Sequence, residues 1–286
     1  MGMTGSGKTS FIKDLTGVDL EVGHDLQSCT QDIQIATMQF QGRTVHLIDT
    51  PGFDDTDVKD SDILLTIANY LGGSRAGEPA VRLSGILYLH RITDRRITGS
   101  AIRNLGMFKK LVGDKNMRSV ILVTTMWGEI SREDGEERLR QLTGTDRFWG
   151  GLMRCGATCQ SYKARPEDAH FIVAKVISNE PIVTQLQNEL HRGMKLMDTT
   201  AGQEVTQGLE NLKMQHQKDI ESLKRDMQDA IRERDEVAAR ELQEQYQQLQ
   251  REQWAASEAR EKLYLANLET MQGRVHALEH RICSVM

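Results

Sequence analysis

GMTGSGKT, residues 2–9, begins one residue into a chain of 286, and its reading decides the fold. It fits G-x-x-x-x-G-K-[ST] at every fixed position: Gly2, Gly7, Lys8 and Thr9. Glycines in such a loop let backbone N–H groups turn inward around a β-phosphate, the lysine ammonium neutralises β and γ oxygens, and the hydroxyl can coordinate Mg²⁺. Gly2, Thr4, Gly5, Ser6, Gly7, Lys8, Thr9 and Ser10 are therefore the candidate nucleotide contacts. The FIKDL that follows reads as a helix whose amino terminus also favours an anion. A glycine-rich tail matches the same pattern by accident now and then, so context decides.

The context is a second phosphate-facing segment. TMQFQGRTVHLIDTPGF, residues 37–53, reads as two strands joined at Gln41-Gly42, the second running into Asp49-Thr50-Pro51-Gly52. Asp49 at the end of a buried strand can hold the water shell of Mg²⁺, and the Gly52 N–H can bond a γ-phosphate. Asp49 follows Thr9 by 40 residues, in the order a nucleotide site requires. Between them, Thr30 in GHDLQSCTQDIQ stands where a switch threonine reaches both Mg²⁺ and γ-phosphate; the other reading is an ordinary loop threonine. Thr9, Thr30 and Asp49 are the candidate metal ligands.

Composition narrows the class. An apolar fraction of 38% is low for a chain that is globular throughout, which points to an extended part beside one sizeable core. The net charge of -5 gives no general attraction to nucleic acid or an anionic membrane. Cys29, Cys155, Cys159 and Cys283 show neither paired metal-ligand spacing nor disulfide density, which suits a reducing compartment. Runs such as SVILVTT are far short of the roughly 20 residues that cross a bilayer, and no signal peptide precedes them. The expectation is a soluble, cytoplasmic protein without nucleic-acid partners.

Up to about residue 198, β-branched runs alternate with helical stretches, the pattern of βα units around a mainly parallel sheet. From Gln203 onward there is no proline, and apolar residues recur at helical spacing, as in one long helix. Leu209, Ile220, Ile231 and Leu242 are spaced by eleven, a nearly straight stripe. Leu268, Met271, Val275, Leu278, Ile282 and Val285 then alternate steps of three and four, a heptad seam that needs a partner. Fully helical, this tail would span on the order of 120 Å, too long to fold against one small domain. Self-association through a coiled coil is therefore expected over a single helix packed back on the globular part. With 12 Lys and Arg against 16 Asp and Glu, the tail is not a basic arm. The expected division is a P-loop G domain at 1–180, a helical linker at 181–202 and a coiled coil at 203–286.

DTPG, the SCT at 28–30, and LHRITDRRITGSAIRNLGMFKKLVG followed by VILVTTMW resemble the septin-related GTPases, most closely the immunity-associated, AIG-type branch and, within it, fungal predicted G-domain proteins. The resemblance covers residues 2 to 180. It implies a Ras-like sheet, GTP with Mg²⁺, and nucleotide-dependent dimerisation across the nucleotide face. Arg91 matches the position from which related proteins offer an arginine to the partner's phosphates, so Arg91 and Thr30 are the candidate catalytic groups. The alternative for Arg91 is an exposed arginine paired with Asp94.

The sequence departs from that family in three places. Where guanine is normally read by the Asp of [NT]-K-x-D, the chain has Thr124-Thr125-Met126-Trp127. Trp127 could stack on a base and Glu129 could supply a displaced carboxylate, or Trp127 is a core residue. Gly156, in Cys155-Gly156-Ala157-Thr158, is assigned to the later base-contacting loop from position alone. Second, Phe53 stands where Ras-type enzymes carry the glutamine that orients water. Third, the strand that normally precedes the loop, between the DTPG and SGILYLH strands, is not in these residues. The expectation is that sequence upstream of Met1 encodes it, and that without it two strands keep open inner edges. The function expected is a GTP-dependent switch with slow hydrolysis; a scaffold with a degenerate G domain and an ATP-binding protein are the alternatives.

Overall fold

The computed structural model describes residues 1–17, 33–53, 57–72, 81–232 and 236–282, with side chains for all of these except 57–59 and 266–282. In chain order the elements are α1 (Lys8–Thr16), β1 (Gln34–Phe40), β2 (Arg43–Asp49), α2 (Asp57–Gly72), β3 (Ile86–Arg91), α3 (Gly99–Val112), β4 (Val120–Thr125), α4 (Arg132–Gly144), α5 (Gly151–Arg154), β5 (Thr158–Ser161), α6 (Pro166–Ile177), α7 (Gln185–His191), α8 (Thr200–Arg232) and α9 (Glu236–Ile282). Strands alternating with helices give the expected Ras-like α/β architecture, followed by a long helical region. β1 and β2 pair antiparallel from Gln34↔Asp49 to Phe40↔Arg43. Their link is the expected Gln41-Gly42, both at positive φ, a two-residue turn whose twist matches its strands.

β3, β4 and β5 form a parallel sheet in that order. Every residue of β4 is buried, as a strand covered on both faces requires. Alternate side chains serve two cores. Tyr88, Val120 and Leu122 join the larger one, with Leu64 of α2 and Phe108 of α3. Leu89, Ile121 and Val123 face Phe11 of α1 and Val173 of α6 in the other. Among the described residues, Cys155 and Cys159 are free thiols, and no group of three or more His, Cys, Asp or Glu residues is placed to hold a metal.

Residues 1–3 form a short stub of strand between the two sheets. The Met1 amine donates to Leu87 O at 2.8 Å, and Leu89 N–H donates to Met1 O at 2.9 Å. On the other side Phe53 N–H donates to Gly2 O at 3.1 Å and Thr4 N–H to Phe53 O at 2.8 Å. Gly2 bridges Leu89 and Met3 bridges Phe53, both in the parallel sense. Beyond the stub, β2 and β3 face each other across a cavity of about 490 Å³.

The tail corrects the single-helix reading. Helix α8 ends at Arg232, and α9 starts at Glu236 and runs back along it. Arg260 reaches Glu210 at 3.1 Å, Gln253 donates to Gln217 at 3.3 Å, and Lys224 lies 5.7 Å from the Tyr246 ring centroid, an antiparallel register. Leu209 and Ile220 of the eleven-residue stripe are buried, whereas Ile231 is exposed. Ala256, Ala259 and Leu263 of α9 enter the larger core, as do Leu186, Leu196 and Ala201 of the expected linker. Folding back halves the reach that made intrachain packing look impossible. No proline or glycine marks the reversal, so helix-former composition hid it. The helix continues to Ile282, but the side chains of the seam from Leu268 to Val285 lie outside the described residues.

Candidate functional site

Gly7, at φ 85°, occupies the left-handed region that glycine adopts without a Cβ clash, and there the loop turns into α1. Lys8 Nζ donates to Gly2 O and Met3 O, each at 3.1 Å, so the ammonium lies against its own loop. Burial lowers its pKa from 10.5 to about 8, with Asp49 pulling the other way. Bound phosphate would offset that loss of hydration. Gly2 and Ser6 are buried, while Gly5 and Ser10 are exposed on the loop and on the first turn of α1. Thr4 Oγ1 lies 3.3 Å from both Gly52 O and Phe53 O and donates to them.

Thr9 Oγ1 donates to Asp49 Oδ2 at 2.7 Å, joining the two segments that the sequence assigned to a metal. Asp49 is 2% exposed, and its second oxygen, Oδ1, is buried without a hydrogen-bond partner. A buried unsatisfied carboxylate oxygen is costly unless something reaches it. A hydroxyl and a carboxylate side by side are hard oxygen donors, the chemistry Mg²⁺ takes, so these residues fit the ion. Thr30 lies outside the described residues.

Gly52 is held by contact. A Cβ there would stand 2.7 Å from Thr4 Cα and 2.8 Å from Lys8 Nζ. Gly52→Ala must therefore displace the loop, and triphosphate affinity is expected to fall at least about tenfold while the chain stays folded. Titration with a fluorescent triphosphate, alongside thermal unfolding, checks this. Phe53 is fully buried in the larger core, so its ring has no access to an attacking water.

Three further positions close the site. Arg91, at the end of β3, has Nε 3.1 Å from Asp94 Oδ1, as the alternative reading held. Its guanidinium also leans over the loop, with Nη1 3.5 Å from the position of a Cβ on Gly5. Thr125 Oγ1 donates to Ser6 O at 3.0 Å and ties β4 to the loop. Sequence reasoning passed over Thr125, although a hydroxyl at the carboxyl end of a buried strand faces the ligand edge of such a sheet. Trp127 is packed: its indole N–H donates to Thr124 Oγ1 at 3.0 Å, and its ring lies so close to α4 that a Cβ on Gly135 would approach Cζ3 to 2.7 Å. The structure thus favours the packing reading of Trp127 over stacking on a base. Glu129 is exposed in the turn at Trp127–Glu129.

Gly156 is a correction. It precedes β5 and sits against Arg118, ahead of β4, at the amino edge of the parallel sheet and so opposite the loop. Ligands in such sheets bind outside the carboxyl ends. The segment after β5 occupies that edge: Tyr162 N–H donates to Thr124 O at 2.8 Å, the Tyr162 hydroxyl donates to Asp14 of α1, and Ala164 takes φ 55°. Counting from the far end of β5 would have moved the assignment to residues 162–165.

Residues 1–87 match the family described as 50S ribosome-binding GTPase. GTP-binding protein A of Dictyostelium discoideum is 30% identical over 127 residues, which are 44% of this chain and 26% of that protein. The chain thus spans about a quarter of the length of this curated relative. Toc33 from Arabidopsis thaliana, solved with GDP and Mg²⁺, is similar at TM-score 0.48 and 16% identity over 64% of this chain and 85% of that one. Elongation factor SelB from Methanococcus maripaludis, with a GTP analogue, gives TM-score 0.41 and 16% identity over 64% and 34%. The family match spans both phosphate-facing segments, Gly2–Thr9 and Asp49–Gly52, and with the α/β architecture it identifies the amino-terminal region as a P-loop G domain.

Proposed function

We propose that this chain is a GTP-binding switch protein that holds a nucleoside triphosphate with Mg²⁺ and hydrolyses it slowly. The observation that carries the reading is the Thr9–Asp49 hydrogen bond beneath a loop whose half-buried lysine is turned on the loop carbonyls of Gly2 and Met3. The name of the Dictyostelium relative supports guanine as the base. Mg²⁺, once bound, would neutralise charge on the β and γ oxygens; Thr9 and Asp49 are placed to hold it. Lys8 would trade its two carbonyl bonds for phosphate oxygens, and Gly52 N–H would meet the terminal phosphate. On the base side the usual acid is absent, and Thr124 is occupied by Trp127. Losing one bidentate base contact forfeits roughly 1–3 kcal/mol of discrimination, so GTP should be preferred to ATP by less than about 100-fold. Within P-loop GTPases, the LHRIT stretch at 89–93 supports the septin-related, AIG-type branch.

Arg91 is the group we assign to charge on the transferring phosphate. Its guanidinium lies beside Gly5 of its own chain, which supports action in cis over donation to a partner. Arg91→Ala should lower hydrolysis on the order of a thousandfold with binding kept. The rate per molecule should stay flat with protein concentration; a rise would put the arginine on a partner's phosphates.

The heptad spacing from Leu268 to Val285 supports self-association through the end of α9. Replacing Leu278 and Ile282 with Asp should leave a monomer by sedimentation, where the unmutated chain sediments as an oligomer at tens of micromolar. Among the described residues, no helix is long and apolar enough to cross a membrane. The absence of paired or metal-spaced cysteines supports a cytoplasmic site.

A further inference from the structure

We propose that Asp94 and Arg138 are positioning residues for Arg91, holding its guanidinium over the phosphate loop with a terminal nitrogen left for an anion; the inference rests on the reading that Arg91 acts on the transferring phosphate. Arg91 ends β3 and pairs with Thr125 of β4, so its backbone is fixed. Its side chain is long, and a partly exposed arginine left to itself explores many rotamers. The selection of the rotamer over Gly5 comes from the groups around residues 91–94.

The chain turns there. Asp94 N–H donates to Arg91 O at 3.3 Å, closing a β-turn that brings the carboxylate back beside the guanidinium. Asp94 Oδ1 lies 3.1 Å from Arg91 Nε. That nitrogen is buried and no acceptor is aligned with it, so charge attraction rather than a directed hydrogen bond sets the contact. A carboxylate at Nε orients the planar fork without occupying its far side. Nη1 then stands 3.5 Å from the position of a Cβ on Gly5. The other carboxylate oxygen, Oδ2, is 4.0 Å from His90 Nδ1, beyond hydrogen-bond reach. Burial lowers the His90 pKa against an upward pull from Asp94, so at neutral pH the imidazole is uncharged and leaves the carboxylate to Arg91.

The turn is pinned from α4. Half-buried Arg138 donates through Nη1 to Ile92 O at 3.0 Å and to Thr93 O at 2.7 Å. Ile92 is 1% exposed in the larger core, and its N–H donates to Thr125 O at 3.0 Å. The two carbonyls that Arg138 holds lie between Arg91 and Asp94 in the chain. The separation of the ion-pair members, and with it the aim of the guanidinium, therefore depends on Arg138.

The test measures single-turnover GTP hydrolysis, triphosphate affinity and unfolding midpoint of the full chain in Arg91→Ala, Asp94→Ala, Arg138→Ala and Arg138→Lys, and in the double variants with Arg91→Ala. Asp94→Ala and Arg138→Ala should each lower the rate at least about tenfold, because a small misplacement of the acting group is costly, while affinity stays within about threefold. Asp94→Ala should move the midpoint by less than about 2 °C, as for any partly exposed ion pair, so it decides the matter alone if Arg138→Ala impairs folding. Arg138→Lys keeps a donor for the two carbonyls and should recover most of the rate. In the Arg91→Ala background neither alanine substitution should change the rate by more than about twofold, since both act through that arginine. Additive losses, or an Asp94→Ala rate equal to or above the parent's, would overturn the proposal. A parent rate that Arg91→Ala leaves unchanged would remove the reading of Arg91 itself, a failure distinct from loss in Arg91→Ala with none in Asp94→Ala.

Discussion

Leu263→Asp is expected to lower the unfolding midpoint of the whole chain by about 10 °C. Leu263 lies on α9, far along a tail that the sequence reads as a self-associating coiled coil, yet it is 1% exposed and sits in the core that holds Leu64 of α2 and Phe108 of α3. The substitution removes a buried leucine and leaves an unpaired carboxylate among apolar groups. Together these cost about 3–5 kcal/mol. For a domain of this size each kcal/mol moves the midpoint by roughly 2–4 °C. Ile231→Asp is the control: Ile231 is 64% exposed near the end of α8 and should move the midpoint by less than about 1 °C. If the G domain melts at an unchanged temperature in Leu263→Asp, the helical pair is a separate unit and its packing on α2 contributes nothing.

Lys8→Ala should reduce triphosphate affinity by more than about a hundredfold. Lys8 is the cation at the centre of the loop, half-buried and donating to Gly2 O and Met3 O. Hydrogen bonds from a charged donor each contribute about 1.5–3 kcal/mol, so losing two such bonds to phosphate exceeds a factor of a hundred. The fold should tolerate the change, because the lysine is held at a desolvation cost that its pKa, lowered to about 8, already reports. The variant should therefore unfold cooperatively near the parent midpoint while gaining no stability from Mg²⁺ and GTP. Affinity within threefold of the parent would mean that the loop is not the phosphate site.

What could be read from residues alone followed from chemistry that is local in the chain. Gly2–Thr9, Asp49–Gly52 and the Gln41-Gly42 turn are each legible from a few consecutive residues; the structure brings Thr9 to Asp49 and turns the chain at Gln41-Gly42. The alternation of β-branched runs with helical stretches announced a mainly parallel sheet, and β4 is a strand of it buried throughout. What failed depended on long-range placement. The reversal between Arg232 and Glu236 has no breaker residue, so only the burial of Ala256, Ala259 and Leu263 against distant helices reveals it. Gly156 was assigned by distance along the chain, whereas the side of the sheet is set by which end of β5 it adjoins. Thr125 was named only within the stretch that replaces the base-reading motif and given no role of its own; its contact with the loop appears only when β4 brings it to Ser6 O.

The most direct measurement is a titration of the unmodified full chain with labelled GTP and labelled ATP, each with Mg²⁺ and with the metal chelated. The account predicts saturable binding of both, weaker by at least about tenfold without Mg²⁺, with GTP ahead by less than about 100-fold. Cooperatively folded protein that binds neither nucleotide at millimolar concentration would contradict it.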